Sequence, residues 1–144
     1  MRRCERNAVP APLRFPDAAA AHRRYVIQTL KRDKVYRVIE ERNLASFANN
    51  SRWNGLFSRL LSHRIPARLK HVARPQMSDW SVWVVPASNT LEVVSNGPVH
   101  FREIEWVDFD CKGDVDTAAC TAAVREAKLT SEVVGQTVRV FGYR

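Results

Sequence analysis

With 144 residues, 45% of them hydrophobic and 26% charged, the chain has ordinary globular composition and enough length for one domain with a real core. Its net charge of +8 is unevenly divided: residues 1–76 hold 17 Lys+Arg against 5 Asp+Glu, and residues 77–144 hold 6 against 10. No run approaches the ~18–20 apolar residues of a membrane-spanning helix. Three widely spaced cysteines exclude a disulfide framework and point to reduced thiols in the cytoplasm.

Pro10, Pro12, Arg14, Pro16 and Asp17 follow Met1-Arg2-Arg3 and leave no apolar core for a signal peptide. Residues 1–16 read as a flexible basic arm and 17–144 as a single domain. Asp17 suits an N-cap before Ala18-Ala19-Ala20-Ala21. Tyr25, Leu30, Val35, Val38 and Ile39 continue with patchy helical spacing, and the polar Lys31-Arg32-Asp33-Lys34 leaves open one long helix or two. A clearer helix follows, capped by Asn50 or Ser51, with Trp53, Leu56, Phe57, Leu60 and Leu61 on one stripe. Gly55 in its middle suggests close packing, and Pro66 stops it near His63.

Beyond this point the period changes. Residues 65–74 fit an edge strand, since Pro66 and Pro75 rule out a long central one. Trp80 to Val85 is aromatic and β-branched, Leu91 to Val94 resumes a strand after turn residues, and Ser95-Asn96-Gly97-Pro98 turns again. Val99 to Asp110 reads as a third strand whose alternation changes phase at Trp106-Val107, the mark of a β-bulge. Thr117 to Lys128 is an alanine-rich helix capped by Asp116 or Thr117, and Thr137 to Tyr143 closes the chain as a strand. The expected fold is α+β: N-terminal helices on one face of a small antiparallel sheet, with a further helix near the C-terminus.

Chemistry-bearing motifs are weak throughout. Asp108 to Asp116 resembles a calcium loop with Gly113 at its turn. However, Lys112 occupies a ligand position, and Ala119 stands where the bidentate Glu belongs, so a strand-to-helix turn is the better reading. His63 with His71 and Cys111 with Cys120 do not match zinc-ligand pair spacings. No nucleophile elbow, Cys-x-x-Cys, His-Glu-x-x-His or phosphate-cradling glycine loop occurs. A non-enzymatic protein without metal or cofactor is expected.

Two charged groupings remain. Glu103, Glu105, Asp108 and Asp110 line a strand and suit docking on a basic protein partner. Arg23, Arg24, Lys31, Arg32, Arg64, Arg68 and Lys70 form the alternative, able to neutralise phosphates or an acidic partner. The aromatic residues do not interleave with these cations along the chain as a base-stacking platform requires.

Asn49-Asn50-Ser51-Arg52-Trp53-Asn54-Gly55-Leu56-Phe57 resembles the helix opening of a family of small bacterial domains, and Phe101-Arg102-Glu103-Ile104-Glu105-Trp106 its Ile-Glu-Trp strand. With Val140-Phe141-Gly142-Tyr143-Arg144, the resemblance spans roughly 35–144. It implies a compact α+β domain with no catalytic residues, similar to immunity proteins that block bacterial toxins. The combined expectation is a cytoplasmic immunity-type inhibitor that binds a toxin or effector, or else a basic nucleic-acid-binding or regulatory module. Oligomeric state is not legible in the chain.

Overall fold

A computed structural model describes residues 32–94 and 96–144. The expected basic arm, the Asp17 cap, Arg23, Arg24 and Lys31 lie outside the described residues. The compact unit considered below runs Lys34–Arg144.

Residues 32–41 are helical (α1), with Val35 buried and Val38 and Ile39 half-buried. Helix α2, Asn50–Leu60, buries Trp53, Leu56, Phe57 and Leu60, the predicted stripe. Its cap is Asn49 rather than Asn50 or Ser51: the Asn49 side chain accepts from the Arg52 N–H at 2.8 Å. Leu61 leaves the stripe because the chain tightens there into a 3-10 turn, Leu61–His63, and the side chain ends 59% exposed. Gly55 is closely packed: the Arg59 guanidinium lies over it and donates to its carbonyl at 2.9 Å, and Ala127 at the end of the later helix is 3.8 Å from where a Cβ would stand.

Among the described residues, seven strands form two antiparallel sheets. The larger contains β1 (Ala67–His71), β5 (Ile104–Asp110), β6 (Thr130–Val134) and β7 (Thr137–Phe141) in the order β1-β5-β7-β6. The smaller contains β2 (Trp83–Val84), β3 (Thr90–Val93) and β4 (Gly97–His100) in chain order. Helix α3, Asp114–Glu126, joins the two halves of the larger sheet and starts three residues earlier than expected. Gly113 occupies its N-cap, which places Asp114 and Asp116 in the first turn, where the helix dipole favours negative charge. The calcium-like segment therefore ends β5, turns, and opens α3.

Register decides which side chains meet. Ala67–Phe109–Val138 and Leu69–Val107–Val140 are cross-strand rows on one face, and all six residues are in the core. Trp53, Phe57, Trp83, Phe101 and Phe109 fill the adjoining interior, with ring centroids of contacting pairs 5.2 to 6.5 Å apart. Trp83 belongs to the smaller sheet, and its Nε1–H donates to the Ile65 carbonyl at 2.9 Å. The bulge lies one residue earlier than predicted. Lys70 pairs with Trp106 and His71 with Ile104, leaving Glu105 as the extra residue. Trp106 accordingly shares a face with Asp108 and Asp110 rather than with Ile104.

The predicted single strand from Val99 is interrupted by a 3-10 turn, Phe101–Glu103, which separates β4 from β5. The predicted strand Trp80 to Val85 contracts to two residues. Strand β6, absent from the sequence reading, is an exposed edge joined to β7 through Gly135-Gln136. Among the described residues no helix is long and apolar enough to cross a membrane.

Gly142 makes a close approach that only glycine accepts. Its N–H donates to the Glu105 carbonyl at 2.7 Å, and a Cβ there would run into the Ile104 carbonyl oxygen and crowd Trp53. Gly142→Ala is expected to cost about 1–3 kcal/mol through backbone displacement. A lower urea midpoint at unchanged m-value checks this.

Candidate binding surface

The face of the larger sheet opposite the core is built from two rows. Arg68, Asp108, Arg139 and Glu132 stand side by side across β1, β5, β7 and β6, so charge alternates along the row. Lys70, Trp106, Phe141 and Thr130 form the next. Sequence spacing places each residue on its own strand face, but only pairing makes these neighbours.

Asp108 is fully buried beneath its two arginines, each of which keeps 31% of its side chain exposed. Arg139 donates from Nε and Nη2 at 2.8 and 3.1 Å, and Arg68 from Nε at 3.1 Å. Glu105 repeats the arrangement. Arg42 donates to both its oxygens at 2.7 and 2.8 Å, and Lys70 Nζ reaches Oε2 at 3.1 Å. The Glu105 side chain is 4% exposed, against 44% for Arg42. Aromatic rings complete the support. The Arg139 guanidinium lies 4.3 Å from the Trp106 ring centroid with Lys70 Nζ at 5.7 Å, and Arg68 lies 4.3 Å from Trp80.

The acid ladder is therefore not a set of free carboxylates. Glu105 and Asp108 are consumed by intramolecular pairs, because β1 and β7 bring Arg68, Lys70 and Arg139 alongside β5. Glu103 leaves the strand altogether, sits in the 3-10 turn and faces His71 at 3.6 Å. Asp110 is half-buried, 4.0 Å from Lys112 Nζ. Of the basic grouping, Arg68 and Lys70 join the outer face, Arg64 is exposed in a left-handed conformation after α2, and Arg32 is exposed. Arg42 and Arg139, which no run of cations marks in the sequence, complete the surface.

Electrostatics follow this geometry. Burial pushes the Glu105 carboxyl up, but the hydrogen bonds and charges of Arg42 and Lys70 outweigh it and hold the group below its ordinary value. Hydrogen bonding to His71 likewise lowers Glu103. The Asp108 hydrogen bonds raise the Arg139 guanidinium, and the Glu105 hydrogen bonds raise Arg42. Carboxyls depressed in the folded state contribute stability that is complete above their unfolded value, about 4.3, and is lost as pH falls through the lower folded value. The urea midpoint should therefore fall on acidification below about pH 5, with a shallower fall in Glu105→Gln.

Two further groupings were apart in the sequence. Cys111 and Cys120 both lie in the core as free thiols, and the Cys111 neighbour together with burial pushes the Cys120 thiol up. Ala48, Asn49, Asn50, Trp53, Phe101, Arg102, Gly142 and Tyr143 surround a small cavity of about 70 Å³. Residues 35–144 match the model of a family described as Family of unknown function (DUF6678). The chain belongs to this family. No curated protein matches it, and no solved structure does.

The DUF6678 domain includes every residue of the outer face, and its matched extent is the one expected from the three sequence segments. Those segments meet at the small cavity: Asn49 caps α2, Trp53 anchors it in the core, and the Tyr143 hydroxyl donates to the Arg102 carbonyl at 2.7 Å. Their role visible in the DUF6678 fold is to lock α2, the turn before β5 and the C-terminus together.

Proposed function

We propose that this domain is a non-enzymatic, cytoplasmic protein-binding module, an immunity-type inhibitor of a bacterial toxin or effector, docking through its outer sheet face. The observation that carries the reading is that, apart from Glu132 on the edge strand β6, the solvent-reaching charges of that face are cations already held in place. Arg42, Arg68 and Arg139 are fastened from below by buried carboxylates and, for Arg68 and Arg139, flanked by indole rings. Immobilising a free side chain on binding costs about 0.5–1.5 kcal/mol, and much of that cost is removed here. The partner's contact surface is acidic, the reverse of the sign expected from the acid ladder. Glu105 and Asp108 then act as anchors for the contact residues.

Nucleic acid is the second reading, favoured by Trp106 standing among cations on an open sheet and by Trp80, from the segment before β2, lying against Arg68. It ranks lower because base stacking needs an open ring face, and Arg139 and Lys70 approach the Trp106 ring.

Affinity purification of the full chain from extract of its host, run in parallel with and without nuclease, tests the choice. A stoichiometric protein partner is expected, released by high salt, lost with Arg74→Glu/Arg144→Glu, and with its toxic or enzymatic activity suppressed in the complex. Those two arginines are exposed and form no ion pair with a buried acid among the described residues. Recovery of nucleic acid alone, abolished by nuclease, would replace this reading with the second.

A further inference from the structure

At one end of the outer face, α1 and β1 flank an open cleft of about 460 Å³ lined by Val38, Arg42, Lys70, Val72, Arg74, Pro75, Glu105 and Trp106 among others. Three cations stand against one carboxylate, and that carboxylate already accepts from two of them. Arg74 is exposed, its Nη1 donating to the Asn96 side chain at 2.9 Å. The Trp106 indole adds an unusual feature. Its Nε1–H is buried and has no acceptor among the described residues, whereas that of the core residue Trp83 has one. A buried donor left unpaired is costly and rare in folded proteins, so it marks a place where an acceptor from outside belongs.

We infer that this cleft is a receptor site for an acidic side chain of the protein partner, whose carboxylate accepts from Trp106 Nε1–H and pairs with Arg74 and the exposed edge of Arg42. Charge complementarity selects the occupant. Among the described residues, Glu105 is the one carboxylate lining the cleft and its oxygens are taken by Arg42 and Lys70, which leaves Arg74 and the Trp106 indole as the donors Glu105 does not engage. Val38, Val72 and Pro75 provide an apolar wall for the methylenes of a Glu or Asp. Lys70 is spent on Glu105 and the His71 carbonyl, so it contributes charge rather than a direct contact. The inference rests on the docking reading above and narrows it to one pocket and one chemical group.

A titration of the full-length, ¹⁵N-labelled protein tests it without relying on a variant. The probes are a deca-glutamate peptide, a deca-glutamine peptide and a twelve-residue oligothymidylate, and the readout is the Trp106 indole N–H resonance assigned by triple-resonance spectra. Saturable movement of that resonance with deca-glutamate, and none with deca-glutamine, is the expected result. Trp106→Phe, which keeps the ring between Arg139 and Lys70, should then weaken peptide binding about tenfold at unchanged urea midpoint. If deca-glutamate moves other resonances of the outer face while the Trp106 indole stays still, the cleft assignment fails and the acidic-partner reading survives. If oligothymidylate moves the indole and deca-glutamate moves nothing, both fail together.

Discussion

Asp108→Ala is expected to destabilise the domain by roughly 3–5 kcal/mol, toward the lower end because both arginines retain access to water. The carboxylate is fully buried and accepts all three hydrogen bonds that hold Arg68 and Arg139. Removing it leaves two guanidiniums on the strands either side of β5, in one cross-strand row, with no counter-charge between them. Against a total stability of typically 5–15 kcal/mol, that loss is large enough to appear directly in a urea melt. The triple replacement Arg68→Met/Asp108→Leu/Arg139→Met makes the complementary case. Exchanging a whole buried ion cluster for apolar side chains is often neutral or stabilising, so this variant should melt near the parent midpoint. On the docking proposal it should also lose the protein partner, since two of the cations assigned to that surface are gone. A triple variant that melted as early as Asp108→Ala would show that the ionic row itself is required for folding.

The second large effect is at Trp53. Its ring stacks on Phe57 at 5.6 Å, approaches Phe101 at 6.4 Å, and lies where a Cβ on Gly142 would press. Trp53→Ala should cost roughly 3–5 kcal/mol from lost burial and the cavity left behind. Because the same ring lines the cavity where α2, the turn before β5 and the C-terminus meet, loosening should spread beyond α2. Hydrogen exchange provides the check: faster exchange at the Gly142 and Tyr143 amides, both of which donate to the Glu105 carbonyl, is expected alongside the stability loss. Unchanged protection of those two amides would confine the role of Trp53 to its own helix.

The elements read most accurately in the sequence are those whose pattern is set by one buried face. The stripe Trp53, Leu56, Phe57, Leu60 repeats at helical spacing because that helix meets the core along a single line. Strand β3 was equally legible between turn residues. The edge strand β6 was not, because an exposed edge buries little of either face and its residues need not alternate. The 3-10 turn at Phe101–Glu103 escaped for a related reason. Phe101 is buried and continues the apolar pattern, so the change in backbone leaves no trace in residue type.

Local pattern was therefore sufficient for the α+β class, the main helix, the edge position of β1 and the existence of a bulge near Trp106, since each depends on neighbours a few residues apart. Which charges face the solvent was settled by folding. Residues 31 to 63 positions apart in the chain, Arg42 with Glu105, Arg68 with Asp108, Asp108 with Arg139, are joined by strand pairing and by the return of the chain from α1. Ion pairing then compensates the charge of the buried acids in place and leaves the cations outward, because a carboxylate is short and is covered by the longer arginine side chains that reach over it toward water. Reversal of the sign of the surface is thus a consequence of register, a quantity carried by the pairing of distant segments and by no segment alone.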